Sequence, residues 1–468
     1  MTASTEKTYD AIILGAGLSG LAAGIRLAHF GQRVCIVERH RIPGGLNSYY
    51  HRRGRDFDVG LHAVTNYAAK GSRQGPFPRL LRQLRMSWDE WSLVPQTRSA
   101  IVFPNACLEF SNDFGHFEAD VRRRFPNQID RLGKLVASLL DYDQFGGDGW
   151  HCSAREVVGQ HITDPLLREM ILCPVLCYGS AQEGDMTFGQ FSMIFRSMFL
   201  EGLARPQGGA QQIIDRLVAK YLALGGELRF QAGVNRLEVR DGEVRSVMLD
   251  GGDELFAKHV LSSAGRRETM RLCDPTITVD TARPGAISYV ETLSVLNVPP
   301  RALGYDRTMV FFNDSETFHY RQPADLADLH CGVVCSPNNF AGDTSDNELP
   351  ATAIIRASVL ANHDRWASLD RPTYRLTKRQ WYDRIVASAA RFVPDFREAV
   401  IDTDVFTPVT IRRYTGHDAG AVYGSPDKSY DATVSIKNLF LCGNDQGLVG
   451  IVGAIISGIT VANQRVLI

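Results

Sequence analysis

An α/β architecture is predicted for this chain by three segments. Tyr9 to Glu38, YDAIILGAGLSGLAAGIRLAHFGQRVCIVE, has the order strand, glycine turn, helix, strand. Near the other end, NLFLCGNDQGLVGIVGAIISGITVANQ runs from a strand, Leu439 to Cys442, through Gly443 into a helix rich in small residues from about Gly450. Between them, Gly225 to Gly265 reads as short strands with turns at Asp241-Gly242 and Gly251-Gly252.

The opening βαβ unit has the pattern that holds a dinucleotide diphosphate. Ala11 to Leu14 is a buried strand, and Gly15, Gly17 and Gly20 form a GxGxxG turn. Gly15 permits the turn, Gly17 lets backbone approach a phosphate, and Gly20 lets the helix pack against the strand. The helix, Leu18 to about Phe30, directs its positive end at that phosphate, and Leu18 and Ser19 open it. Gly31 closes it, and Val34 to Val37 forms the second strand. Glu38 ends that strand where a carboxylate accepts from a ribose 2′-hydroxyl, which favours an unphosphorylated adenosine ribose.

The residues after Glu38 separate NAD from FAD. Turn-forming, basic sequence leads to Gly44 and Gly45, and LNSYYHRRGRDFDVGLH then runs through Asp58 to His62. This stretch resembles the second flavin motif of the FAD-dependent family that includes phytoene desaturases, carotenoid isomerases, retinol saturases and amine oxidases. Gly44, Gly45, Asn47, Ser48, Phe57, Asp58, Gly60 and His62 match its polyene-acting branch. The resemblance implies a Rossmann-like FAD-binding domain interleaved with a mixed α+β substrate-binding lobe, and non-covalent FAD. It places Arg39 and Leu61 among the cofactor contacts as well. At the C-terminal end Gly443, Asn444, Asp445, Gly450, Ile451 and Val452 match the segment that binds the ribityl chain and diphosphate. In the middle, Val234 matches the stretch near the adenine, and Ala264 closes its last strand. Thr407 to Gly424 resembles the strand and turn that precede the C-terminal motif.

Interleaving sets the expected organisation. The FAD-binding domain takes residues 1–75, 205–275 and 400–468, and the substrate lobe takes 76–204 and 276–399. Residues 76–204 read as mainly helical, with amphipathic spacing in Leu80 to Met86, Phe125 to Tyr142 and Pro165 to Leu176. Residues 276–400 mix β-like runs, Ser288 to Val298 and Met309 to Phe312, with a helix from Lys378 to Phe392. Pro337 to Leu349 reads as a surface loop.

Composition sets outer limits. A chain of 468 residues exceeds one ordinary core, and 44% hydrophobic with 22% charged residues is globular. Lys and Arg total 51 against 52 Asp and Glu, so the net charge of −1 gives no argument for nucleic acid. Arg52, Arg53 and Arg55 are read either as ion-paired surface or as contacts to the diphosphate or an anionic membrane. Nine irregularly spaced cysteines suit reduced thiols, a cytoplasmic location and no metal centre; Cys442 reads as a buried thiol rather than a flavin link. No apolar run reaches the ~18 residues a bilayer span needs. Met186 to Leu203, MTFGQFSMIFRSMFLEGL, is dense in Phe and Met. It offers Phe191, Phe195 and Phe199 as contacts to a polyene, at a channel wall or a membrane surface, or alternatively an ordinary buried helix.

The chemistry expected is hydride transfer at flavin N5 on an apolar isoprenoid or polyene, held by burial at roughly 0.8 kcal/mol per methylene. His62, Tyr414, His417 and Tyr423 are the polar candidates near the ring, because they sit in matched flavin segments. The chain has no second GxGxxG unit, so electrons are expected to pass to or from oxygen, a quinone or another protein. The alternatives are a flavin amine oxidase and a flavoprotein without catalysis.

Overall fold

The computed structural model describes residues 8–60, 62–142, 152–273, 281–342 and 353–468. The opening unit forms as its pattern requires: strand Thr8–Leu14, helix Leu18–Ala28 and strand Val34–Val37, with Ile12 beside Cys35 in a parallel pair. Every residue of the helix except Arg26 is buried. Its second neighbour is the helix Gly450–Val461, which approaches so closely that a Cβ on Gly458 would lie 2.0 Å from the carbonyl oxygen of Ser19. That contact explains the small residues in both helices: bulk on either would push the pair apart.

Seven strands make the first sheet. In spatial order they run Val234–Arg240, Glu243–Leu249, Glu254–Ser262, Thr8–Leu14, Val34–Val37 and Glu227–Arg229, and Leu439–Leu441 joins Glu254–Ser262. The central pairs are parallel, and Glu254–Ser262 meets Glu243–Leu249 in an antiparallel hairpin. The turn expected at Asp241-Gly242 forms with positive φ at both residues, 56° and 74°, which matches the twist of a two-residue hairpin.

A second seven-stranded sheet runs Val400–Phe406, Ser288–Leu296, Ala353–Ala361, Cys331–Cys335, Met309–Asn313, Ser99–Phe103 and Ala106–Phe110. Alternation decides its two faces. Met309, Phe311, Val333 and Ile101 enter a core shared with helices Pro165–Cys177 and Phe188–Phe195, while Val310, Phe312, Val334 and Ala100 pack under helix Arg371–Ala389.

Several sequence expectations change here. Within residues 76–204, read as mainly helical, the strands Ser99–Phe103 and Ala106–Phe110 form as well and extend the second sheet. Val400–Phe406 pairs with Ser288–Leu296 in that sheet rather than staying with the C-terminal flavin segment. The helix expected at Lys378 begins at Arg371, where Asp370 caps it and Pro372 occupies its first turn. The strand expected in Thr407 to Gly424 is a helix, Pro408–Thr415, started by reciprocal capping between Thr407 and Thr410. Pro337–Asn339 is a short helical turn whose Asn339 is buried, and residues 343–349 of the expected loop lie outside the described residues.

The largest correction concerns Phe191, Phe195 and Phe199. All three are fully buried and do not line the main cavity. Phe199 stacks within 4.8–4.9 Å of Phe110, Phe117 and Phe195, so the aromatic density of Met186 to Leu203 fills a core instead of facing a ligand or membrane. A sequence of spaced phenylalanines carries no sign of which side solvent lies on, and the strand pair Ser99–Phe110 supplies the missing cover.

Candidate active site

One cavity of about 1260 Å³ runs along the carboxyl ends of the first sheet and reaches the second sheet. Its first end is made of backbone. Gly15 takes the positive φ of 98° that the turn demands. A Cβ on Gly20 would lie 2.1 Å from the Gly15 oxygen, so Gly20 serves packing and stays out of the cavity. A Cβ on Gly17, by contrast, would meet no protein atom within 4 Å and would project into the cavity. The protein therefore leaves unfilled the space that a diphosphate needs beside the start of helix Leu18–Ala28. Gly44 and Gly45 come across from the other side, and Gly17 and Gly44 form an isolated parallel bridge.

Glu38 is buried and holds this turn as well as facing the cavity. Its Oε2 accepts from the Ala16 amide at 2.8 Å and its Oε1 from the His40 amide at 2.9 Å. Each carboxylate oxygen keeps a lone pair for a hydroxyl. Arg39, Asn47, Ser48, Gly60, Val234 and Ala264 line the same cavity, with Leu18, Ser19, Gly443, Asn444, Gly450 and Ile451. Val452 is core, and Leu61 lies outside the described residues.

Asp445 is buried on the cavity wall. It accepts from the amides of Arg266 at 2.6 Å and Ser425 at 2.8 Å, which ties three chain segments together. Lys428 stands behind it, 3.8 Å from Asp445 Oδ1, and donates to the Tyr423 carbonyl at 2.5 Å. Burial pushes the Lys428 ammonium down to about 8, against the pull of Asp445 and Asp427.

The far end of the cavity is made of side chains. His62 Nε2 lies 3.1 Å from Glu291 Oε2 and 3.2 Å from Ser358 Oγ, and Ser358 also donates to Glu291 Oε2 at 3.1 Å. Arg356 grips the other oxygen: its Nε donates to Glu291 Oε1 at 2.6 Å, with a second contact from its Nη2, which also donates to the Val59 carbonyl. Burial opposes charge on Glu291, yet Arg356 and His62 overcome it and hold the carboxyl at about 2. Burial likewise opposes charge on His62, and the Glu291 charge together with contacts from Cys335 and Glu291 raises it to about 9. His62 Nδ1 is buried with no partner among the described residues.

Three tyrosines wall this end. Tyr289 donates to the Cys177 carbonyl at 3.2 Å, Tyr423 donates to the same oxygen, and Tyr178 donates to Met309 Sδ at 3.3 Å. Their hydroxyls are thus engaged in the wall, and the rings of Tyr289 and Tyr423 stand edge-on, 6.4 Å apart.

His62 and Tyr423 therefore come together, and the other two candidates do not join them. Tyr414 is 54% exposed and sits at the Glu38 end, its ring against His40 and its carbonyl accepting from His40 Nε2 at 2.6 Å. His417 lies beside Gly265 and 3.8 Å from Glu268. Tyr414 lies in the last turn of the helix Pro408–Thr415 and His417 just after it, and that helix carries both along the cavity away from His62. Glu291, Arg356 and Ser358 escaped sequence reading although a signal existed. SYVETLSVL and AIIRASVLA are buried strands that each carry one charged residue, of opposite sign, and buried charges need partners. Arg52, Arg53 and Arg55 pair with Asp402 or Asp404 of the second sheet, so the hairpin Tyr49–Asp58 is pinned by ions.

A chain with this interleaving and this cavity belongs to the flavin-containing amine oxidoreductase family, whose pattern matches residues 18–465. Its cofactor is FAD, and the space left at Gly17 fits a bound dinucleotide. Among curated relatives it is 23% identical to the chloroplastic prolycopene isomerase of Daucus carota, over 90% of this chain and 72% of that protein. It is 22% identical to the all-trans-retinol 13,14-reductase of Danio rerio, over 98% of this chain and 86% of that protein. Among solved structures, an oxidoreductase from Methanosarcina mazei shares the fold, with a TM-score of 0.67 at 16% identity over 97% of this chain and 100% of that one.

Proposed function

We propose that the protein is an FAD-dependent oxidoreductase of an apolar, conjugated polyene. The observation that carries this reading is the far end of the cavity, lined by Tyr178, Tyr289, Tyr423 and Val333, where the three tyrosine hydroxyls are already engaged by Met309 and the Cys177 carbonyl. Prolycopene and retinol, named for the two relatives, are molecules of this class. When bound, the flavin accepts or donates hydride at N5. The chain's task is then to exclude water and hold a hydrocarbon, which roughly 25 cal/mol per Å² of buried apolar surface can do without polar handles.

In this reading Gly15, Gly17, Leu18, Ser19, Gly44 and Gly45 hold the diphosphate, Glu38 the adenosine ribose, Val234 and Ala264 the adenine side, and Gly443, Asn444, Gly450 and Ile451 the ribityl side. His62 and Tyr423 adjoin the reacting part of the cavity. Residues around the first sheet bind FAD, those around the second sheet bind substrate, and an external acceptor or donor exchanges the electrons. Among the described residues no helix is long and apolar enough to cross a membrane, and with Phe191, Phe195 and Phe199 in the core the expected membrane contact loses the residues on which it stood. All nine cysteines are unpaired, which fits the reducing interior of a cell.

Electrostatics weighs against an amine. Glu291 is consumed by Arg356 and His62, so the cluster carries one net positive charge where an alkylammonium would have to enter. Anaerobic mixing with a carotenoid or retinoid is expected to change the flavin absorbance or the polyene chromophore, and simple primary and secondary amines should leave the oxidised flavin untouched. Rapid bleaching by an amine, with inert polyenes, would reverse the assignment.

A further inference from the structure

The chain as a whole is nearly neutral, with 51 Lys and Arg against 52 Asp and Glu, yet the outer rim of the cavity is lopsided. The first half of helix Arg371–Ala389 carries Arg371, Arg375 and Arg379 exposed, with Lys378 on the cavity wall. The last turn of helix Pro408–Thr415 carries Arg412 and Arg413 exposed, while Thr410, Ile411 and Tyr414 of the same helix line the cavity. The Tyr374 hydroxyl joins the two helices through Thr407 Oγ1 at 2.7 Å, and Arg39 ties the second helix to the Glu38 end by donating to the Arg413 carbonyl at 3.2 Å. Arg41, exposed, continues the rim past Arg39.

Elsewhere exposed arginines are matched: Arg98, Arg245, Arg283 and Arg397 pair with Asp306, Glu243, Asp427 and Asp395. None of the rim cations has a carboxylate partner among the described residues. The nearby acids are spent. Asp370 caps its helix by accepting from the Thr373 amide, Asp402 and Asp404 are taken by Arg52 and Arg53, and Asp383, the only acid within helix Arg371–Ala389, comes after Arg379. Arg371, Arg375 and Arg379 stand four residues apart, a spacing at which like charges weaken a helix, so helix stability does not explain them. Two apolar side chains stand among these charges, Leu376 at 59% and Tyr414 at 54% exposure.

We propose that this rim, formed by the first half of helix Arg371–Ala389 and the end of helix Pro408–Thr415, docks on an anionic lipid bilayer and sets the cavity edge at Lys378 and Tyr414 against it. Unpaired cations interleaved with exposed apolar side chains match a layer of anionic headgroups over hydrocarbon. The face is separate from Met186 to Leu203, whose phenylalanines are core. The choice of lipid over an acidic protein rests on the polyene reading, because a hydrocarbon substrate dissolves in bilayers and hardly in water.

The test is co-sedimentation of the FAD-loaded protein, without substrate, with vesicles of phosphatidylcholine alone or of phosphatidylcholine mixed with phosphatidylglycerol. Binding is expected only to the anionic vesicles, and it should weaken as salt rises. Each cation removed at an anionic surface should weaken partition about fivefold, so Arg412→Gln with Arg413→Gln should lose roughly twenty-five-fold, and Arg375→Gln with Arg379→Gln a similar factor, all with FAD retained. Arg122→Gln with Arg124→Gln is the control: both are exposed cations on helix Phe114–Arg124, which packs on Ala106–Phe110 at the opposite edge of the second sheet, and their loss should leave partition unchanged. Equal binding to neutral and anionic vesicles, binding to neither, unchanged partition in both rim variants, or an equal loss in the control would overturn the proposal. So would tighter binding to soluble polyglutamate than to the vesicles, which would assign the face to an acidic protein. Polyene turnover is read separately in detergent micelles: turnover without vesicle binding sinks the surface and keeps the substrate class, and vesicle binding without turnover counts against the substrate class and leaves the surface standing.

Discussion

The two ends of the cavity are built by opposite means. At the Glu38 end the chemistry lies in backbone: glycine φ angles, a helix start and a carboxylate that braces two amides, nearly all within Leu14 to Gly45. At the His62 end it lies in side chains from distant segments: His62, Glu291 and Arg356 are brought together by two strands whose register sets Glu291 opposite Ser358 and Leu293 opposite Arg356. A backbone site tolerates change outside its glycines. A side-chain site depends on charges that must be matched in a dry interior.

Three experiments sharpen this contrast. The largest effect is expected from Arg356→Ala. Removing the guanidinium leaves Glu291 buried with only His62 and the Ser358 hydroxyl, and breaking a buried pair in this way costs about 3–5 kcal/mol, read as a lower urea midpoint in chemical denaturation. A loss under about 1 kcal/mol would mean that the far end is wetter and more adaptable than its geometry implies.

Next is Gly17→Val. Because a Cβ there meets no protein atom, the fold should survive, while FAD affinity falls roughly a hundredfold, about 3 kcal/mol, from bulk placed in the diphosphate space. Calorimetric titration of the apoprotein with FAD checks it. Unaltered affinity would move the diphosphate elsewhere in the cavity.

The smallest effect is pH dependence. His62 is raised from 6.5 to about 9, so its contribution to stability is complete below pH 6.5 and lost as pH rises through about 9. Glu291 is lowered from 4.5 to about 2, so its contribution is complete above pH 4.5 and lost as pH falls through about 2. Melting temperature against pH should therefore show an alkaline decline between 6.5 and 9 that His62→Gln lacks and Gly17→Val retains. Identical alkaline limbs in all three proteins would dismiss His62 as its origin.

The same contrast explains what could be read from the sequence. Gly15, Gly17, Gly20 and Glu38 follow one another within a single βαβ unit, so local spacing encodes their geometry. Gly443 and Gly450 were legible for the same reason. Tyr414 and His417 lie near the C-terminal motif in sequence, yet the helix Pro408–Thr415 carries them along the cavity, so proximity in sequence does not bring them to His62. Glu291 and Arg356 belong to strands far apart in the chain, and only the register of their pairing creates a site from them. Phe191, Phe195 and Phe199 show the limit of periodicity, which finds an apolar face and cannot say what covers it.

The topology of the first sheet also bears on how the protein is made. Thr8–Leu14 pairs with Glu254–Ser262, and that strand in turn pairs with Leu439–Leu441. During synthesis, the opening βαβ unit must wait for a neighbour encoded some 250 residues later, and the strand Leu439–Leu441 arrives later still. Contacts so distant along the chain make for slow folding and a long exposure of apolar strand edges to chaperones or aggregation. The glycine turn near the start shares its cavity with Gly443, so a ligand that spans both binds only once the late strand has docked, and its binding pulls that step to completion.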